Sequence, residues 1–377
     1  MADEISLDLN FRSVPAGRQV FIAFPGKGYR LYKHFLEHGA VWPELPGLGL
    51  PVGIEVDTLP NLLPRLARSR RLNRWYRSNR AAEMPSRQLA DYGRVDQSLF
   101  HLKGVIQGFF SRANRYDLVV VPPADILGQV LIGEFQDAPL QFTNLYIPDL
   151  YDTDEVPARK VKWLARKSKA GMPLNLLKRF PKPNPFTLLD REFYQEIYSV
   201  AYGSYALEDA YTSRLDVTRA DFRTIDDYKL QQIINAIAAM CQAVEQPPEN
   251  GVGQDLEWDD IIEMLSNEDY IPDLSVNINS PGSLVLSCKK VVPLVIAAIL
   301  SLAALDAQQT WSAAQADTIH ISNSAVPDPE NDVCTAKVAE ETLEQIRMMG
   351  FQRWQRLCKK IAEVKASTGL TEQSEAK

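Results

Sequence analysis

Along the first half of the chain apolar residues come in short bursts cut off by Gly and Pro; along the second half they recur at helical spacing. Val20-Phe-Ile-Ala-Phe-Pro-Gly-Lys-Gly28 reads as a strand running into a glycine turn. Tyr32-Lys-His-Phe-Leu-Glu-His-Gly39 is a short helix, and Val41-Trp42 opens a Pro/Gly-rich passage to residue 51. Helices are predicted over 59–82, where Leu59, Leu62, Leu63, Leu66 and Leu72 share a stripe, and over 96–112, through Leu99, Leu102, Val105, Ile106 and Phe109. Asp117-Leu-Val-Val-Val121 and Gln129-Val-Leu-Ile-Gly-Glu-Phe135 pair as a hairpin around Pro122-Pro-Ala-Asp125. A short strand over 161–164, a helix near 174–179 and a closing strand at Thr187-Leu-Leu-Asp190 complete this half. The pattern predicts a small curled β-barrel with a helical insertion, preceded by a loose lead-in over 1–17.

From about residue 190 the chain turns helical. Residues 193–205 are rich in aromatics, and 228–245 carry Leu230, Ile233, Ile234, Ile237 and Met240 on one face. Pro247-Pro-Glu-Asn-Gly-Val-Gly253 reads as a linker. Beyond it come a helix over 255–267, a strand over 274–279, a turn at Ser280-Pro-Gly-Ser283 and a partner strand over 284–288. A polar loop at 322–332 and a long helix over 336–364 follow, and the tail is disordered by composition. The expected class is α+β, with a barrel domain at 1–190, a helical connector at 191–250, an α/β assembly or interaction domain at 251–366, and a disordered tail at 367–377.

Residues 291–305 form an uncharged run of 15. A spanning helix needs about 20 apolar residues, so this run reads as a core or interface helix, through which a homo-oligomer could pair, and not as a membrane span. Apolar and charged contents of 45% and 24% are ordinary for a globular protein. The N-terminus shows no basic–apolar signal pattern. The four cysteines (241, 288, 334 and 358) are widely spaced without a CxxC pair, which suits reduced thiols in a cytoplasmic protein.

The net charge of −7 hides a divided chain. Residues 1–190 hold 26 Lys and Arg against 19 Asp and Glu, and the remainder holds 15 against 29. Arg65, Arg68, Arg70, Arg71, Arg74, Arg77 and Arg80 follow one another with no acid between them. So do Arg159, Lys160, Lys162, Arg166, Lys167, Lys169, Lys178, Arg179 and Lys182. Such a run is often a solvated helix face. Two of them interleaved with Trp75, Tyr76, Trp163 and Phe180 also suit phosphate contact, for which the planar guanidinium fork is well shaped. Residues 230–288 hold ten carboxylates and no Lys or Arg, a face for a protein partner or a damper on nonspecific binding.

These signals, in order, resemble the PUA-like, EVE-type module found at the N-terminus of Mrr-type and other modification-dependent restriction proteins. The strand and glycine turn at 21–28, the helix and apolar step at 35–41, the Asp117–Pro122 strand, the Val130–Phe135 strand and Arg159-Lys-Val-Lys-Trp-Leu164 carry the likeness, over about residues 20–190. Phe24-Pro25 stands where that family often has an arginine before the first glycine. The resemblance implies recognition of modified or flipped bases in nucleic acid, DNA rather than RNA.

A base swung out of a duplex is held by aromatic stacking and by hydrogen bonds to its edge, with about 1–3 kcal/mol from each stacked ring. Phe24, Trp42 and Trp163 are the candidate stackers, and Lys27 and Lys162 could hold flanking phosphates. Gly26 and Gly28 allow close backbone approach, and Arg70, Arg71, Arg74, Lys160 and Arg166 would supply the basic rim. The alternative for Trp42 and Trp163 is the core, where large aromatics dominate.

No nucleophile–base set, Walker motif or dinucleotide fingerprint is present. His34 and His38, at i and i+4, lack a third ligand nearby. The nearest match to a Glu-x-Lys nuclease motif is Glu363-Val-Lys365, at the end of the last predicted helix; Asp273 opens a strand, but its partner strand, Leu286-Ser-Cys288-Lys289, lacks the second carboxylate. The expected protein is therefore a non-catalytic, nucleic-acid-sensing subunit, modified bases included, with no cofactor or metal and no membrane contact. Through the resemblance it would serve prokaryotic anti-phage defence or restriction beside a separate effector subunit. A scaffolding subunit that binds a protein through its acidic half, and a divergent Mg-dependent nuclease, are the alternatives.

Overall fold

The structure, a computed structural model, describes residues 4–94, 96–180, 184–208, 210–219, 221–247, 258–277, 282–325 and 332–377. Lys182, most of the 247–253 linker, residues 255–257 of the helix expected at 255–267, residues 278–281 around the expected turn, and 326–331 of the polar loop lie outside these. The chain is mixed α+β, with 46% helix and 22% strand. It divides into two units, 17–201 and a second formed by 1–16 together with 202–377. The boundary thus falls at 201 and not at 190, and the opening residues belong with the far end of the chain.

Those opening residues are strands, not a loose lead-in: β1 (Ile5–Asp8) and β2 (Arg12–Val14), with Ile5, Leu7, Leu9, Phe11 and Val14 buried. The 17–201 unit follows with β3 (Val20–Ala23), α1 (Tyr32–His38), β4 (Ala40–Val41), α2 (Leu62–Arg77) and α3 (Gln97–Gln107). Then come β5 (Leu118–Val121), β6 (Gln129–Phe135), β7 (Thr143–Tyr146), α4 (Pro148–Tyr151) and β8 (Glu155–Ser168). The unit ends with α5 (Leu174–Leu177), β9 (Phe186–Leu188) and α6 (Tyr194–Tyr202).

Its seven strands form one sheet in the order β4-β8-β6-β5-β3-β9, with β7 also on β8. The sheet is a curled half-barrel. The expected hairpin is present, β5 and β6 pairing antiparallel from Leu118↔Glu134 to Val121↔Leu131. The third strand is far longer than the four residues expected: β8 runs 14 residues and passes among three partners, β7 over 155–158, β4 over 159–160 and β6 over 161–168. A bulge at Ile132/Gly133 bends it, and a Cβ on Gly133 would come within 2.8 Å of the Trp163 ring. β9 lies antiparallel on β3. Phe21, Val119, Val121, Leu131, Phe135 and Val161 of the sheet share one core with Phe35, Leu66, Leu72, Ile106, Phe109 and Phe110.

The other unit continues with β10 (Tyr205–Leu207), β11 (Ala210–Val217), α7 (Thr224–Glu245), α8 (Trp258–Glu263), β12 (Asp273–Asn277) and β13 (Gly282–Cys288). It closes with α9 (Val292–Leu302), α10 (Ala307–Gln315), β14 (Ile319–Ser322), α11 (Val333–Thr368), β15 (Leu370–Thr371) and β16 (Glu375–Ala376). One sheet runs β12-β13-β11-β10-β2 with β15 on β11, and a second runs β14-β1-β16. The expected connector and assembly domain share one core, since α7, α9 and α11 all contribute to it. Every residue of α9 is buried within this chain, so the helix has no exposed residue to offer a second copy. The tail is not disordered: α11 continues to Thr368, and β15 and β16 join the two sheets through Leu370 and Ala376. Among the described residues no helix is long and apolar enough to cross a membrane.

Candidate functional site

The 17–201 unit holds a cavity of about 490 Å³ lined by Phe24, Gly26, Lys27, Gly28, Glu44, Arg70, Asn73 and Arg77, with Pro43, Leu45, Leu102 and Pro185 completing its wall. That volume lies within the range of roughly 300–1,000 Å³ usual for small-molecule sites. Five segments build it, Pro185 coming from the stretch that leads into β9. β3 delivers Phe24 and the glycine turn, β4 leads through Trp42 into Pro43-Glu44-Leu45, α2 supplies Arg70, Asn73 and Arg77 at i, i+3 and i+7 on one helical stripe, and α3 adds Leu102.

The glycine turn is sharply bent. Gly26, Gly28 and Tyr29 have φ of 74°, 69° and 58°. Only glycine visits that region freely, so Tyr29 holds a conformation that costs about 1–3 kcal/mol unless its surroundings enforce it. The turn is enforced by Tyr29 N–H to Gly26 O (3.0 Å), Leu31 N–H to Pro25 O (3.0 Å) and the Phe24–Tyr29 ring contact at 4.9 Å. Phe24 is anchored at its own N–H by Pro185 O. The Gly26 N–H is donated to Phe24 O at 2.8 Å and is thereby engaged within the turn, while a Cβ at Gly28 would meet open space.

Glu44 is the feature the sequence did not disclose. Its carboxylate accepts from Arg30 Nε and from the Lys27 N–H (3.3 Å), and Arg77 stands 4.0 Å away. The side chain is only 12% exposed. A carboxylate held among cations in this way still has lone pairs to offer a ligand's N–H groups. Arg30 Nη2 donates to Asn73 Oδ1 at 3.1 Å, which leaves the Asn73 amino group as the donor on that side. Cationic and acceptor groups thus surround a mostly apolar wall, an arrangement suited to a flat, polar-edged ligand.

The other expected residues are distributed differently. Trp42 is 2% exposed and packs edge-on against Phe35 at 4.7 Å; it belongs to the core. Trp163 is half-buried, stands over Gly133 on β6 and packs against the same core, outside the cavity wall. Neither lines the cavity; of the three expected stackers Phe24 alone does. Lys160, Lys162 and Arg166 are exposed along β8, and Arg74 is exposed on α2. Arg71 lies over the Tyr92 ring at 5.6 Å. Much of the arginine run is occupied within the unit: Arg65 and Arg68 donate to the carbonyls of Gly49 and Gly47, Arg70 bridges to Asp96, and Arg80 to Asp152. Arg159 is wholly buried, donating to Phe109 O (3.0 Å) and Ala113 O (2.6 Å) over the Phe135 ring. Burial pushes its guanidinium down to about 10, with the Asp137 and Asp117 carboxylates acting against that fall.

Glu363 is ion-paired with Lys229 at 3.4 Å, and Lys365 with Glu372 at 2.6 Å. Asp273 lies in the β12–β13 ladder, opposite Ser287. The rings of His34 and His38 lie 6.4 Å apart, and burial lowers the His34 pKa. Among the described residues no group of three or more His, Cys, Asp or Glu is placed to hold a metal ion. The cysteines are free thiols. No family model, curated protein or solved structure matches the chain.

Proposed function

We propose that the 17–201 unit is a PUA-like, EVE-type module that binds a nucleobase in the Phe24–Glu44 cavity, and that the protein is a nucleic-acid-sensing subunit. The observation that carries this reading is the convergence of the glycine turn, Phe24, Glu44, Asn73, Arg70 and Arg77 on one cavity. Phe24 offers a ring face for stacking. Glu44 accepts from a ring or exocyclic N–H, Asn73 donates to a ring acceptor, and Lys27, Arg74, Lys160, Lys162 and Arg166 are exposed for phosphates. The placement of this activity in prokaryotic anti-phage defence or restriction, with catalysis left to a separate effector, rests on the resemblance alone.

A salt titration with short single-stranded and duplex DNA tests the reading. Affinity should fall with log[salt] by roughly 0.9 log unit per phosphate contacted in duplex. Phe24→Ala should weaken binding by about 1–3 kcal/mol while leaving the salt slope unchanged. Absence of binding at low salt, or a Phe24→Ala variant equal to the wild type, would remove the proposal.

A further inference from the structure

The turn between β5 and β6 carries two large apolar side chains in water: Ile126 is 54% and Leu127 78% exposed. It is not a loose loop. Lys169 Nζ donates to Pro123 O (3.0 Å) and Ala124 O (3.3 Å), Lys169 N–H to Gly128 O (2.9 Å), and Gly128 N–H to Asp125 O (3.1 Å). Two bulky hydrophobes are thus held outward by a pinned backbone, although unfavourable hydration penalises each of them.

The topology places this turn beside the cavity. β3 and β5 are parallel, with Ile22 opposite Val120, so the chain leaves both strands at the same end of the sheet. β3 there enters the Phe24–Gly28 turn and β5 enters the Pro122–Gly128 turn. Tyr32 Oη, just past the glycine turn, donates to Gln129 O at the base of the other. Exposed Arg166 and half-exposed Lys167 sit on β8 opposite Leu131 and Val130 at this same end, and Lys27 is exposed on the glycine turn. Glu196 pairs with Lys167 and Asp125 is exposed on the turn itself, which leaves Arg166 and Lys27 as the exposed cations named at this end of the sheet.

From this juxtaposition we infer that Ile126 and Leu127 form a wedge that enters a nucleic-acid duplex beside the base taken into the cavity and fills the gap left in the stack. The inference rests on the base-binding reading above. Apolar side chains inserted between base steps offset part of the cost of unstacking, and a base leaving a duplex opens such a gap. Basic groups behind an apolar tip complement the phosphates on either side of it. A single strand has no stack to open, so the wedge acts on duplex alone.

The test uses the full chain, a short DNA duplex with one 2-aminopurine, and the same strand unpaired. The double substitution Ile126→Ser/Leu127→Ser, at exposed positions, is checked first by thermal melting. It should weaken duplex binding by about tenfold or more and abolish the rise in 2-aminopurine fluorescence. Binding to the single strand should change by less than about twofold. Wild-type affinity and fluorescence on duplex, or equal loss on duplex and single strand, would overturn the wedge while leaving the cavity reading intact. A wild-type protein that binds neither probe would overturn that reading, and the wedge with it.

Discussion

Gly26 and Gly28 stand two residues apart with similar φ but with ψ of 172° and 17°, and their surroundings differ as well. A Cβ on Gly26 would come within 2.8 Å of the Glu44 carboxyl carbon; one on Gly28 would touch nothing. Gly28→Ala should cost the left-handed backbone penalty, about 1–2 kcal/mol in a melt, without displacing Glu44. Gly26→Ala adds displacement of Glu44 and should lower affinity by at least about tenfold, the worth of one good base-edge contact. Equal binding by the two variants would detach Glu44 from recognition. At this scale the sequence disclosed the glycine turn and Phe24, because both are local. Glu44 was hidden, since a lone carboxylate 16 residues beyond Gly28 acquires meaning only once β4 pairs with β8. The tryptophans stayed open between core and ligand for a related reason: an aromatic beside a strand reads alike whichever of the two it faces.

Among the elements, β8 shows how far local pattern reaches. The Val161–Leu164 run was legible as a strand, but its extension to 155–168 was not, because Lys, Arg and Ser carry little strand preference of their own. Pairing with β7, β4 and β6 in turn supplies what composition lacks. Arg159 likewise read as the first member of an acid-free basic run, whereas its place in the pleat aims it inward at the carbonyls closing the segment after α3. Arg159→Met removes those donors while keeping comparable bulk. Each stranded carbonyl costs about 1–3 kcal/mol, so the variant should melt well below the wild type. A melt matching that of the wild type would show that water replaces the guanidinium.

At the scale of the whole molecule, the acidic half proves to contain an interacting pair of carboxyls, Glu341 buried and Glu245 half-buried, and not merely a charged surface. Glu245, at the end of α7, accepts from Lys290 (2.6 Å), Lys337 (2.8 Å) and Tyr270, and these hold its carboxyl well below the usual range although burial acts the other way. Glu341 of α11 is pushed up to about 7, by burial first and then by its hydrogen bond to Glu245. Between its ordinary 4.5 and about 7 the folded chain holds a proton that the unfolded chain has released. Stability should therefore decline as pH rises through that window, by at most about 3 kcal/mol. Glu245 acts oppositely: its contribution is present above 4.5 and lost on acidification. Glu341→Gln, which keeps a donor toward Glu245, should flatten the decline in urea melts run at pH 5 and pH 8; an unaltered slope would place the proton elsewhere.

The division of the chain was the least legible property of all. Helices, hairpins and the apolar α9 announced themselves by period and length. That 1–16 completes a sheet with residues beyond 200 is written in no local pattern, because the register Ile5↔Ile319 depends on the whole intervening fold. This arrangement also sets an order on synthesis. All strand partners within 17–201 exist once Leu188 has been made. β1, in contrast, meets β14 only after residue 322 and β16 only after residue 376. β2 meets β10 once residue 207 is made, whereas β1 stays unmatched while the whole of 17–201 and most of the second unit are synthesised after it.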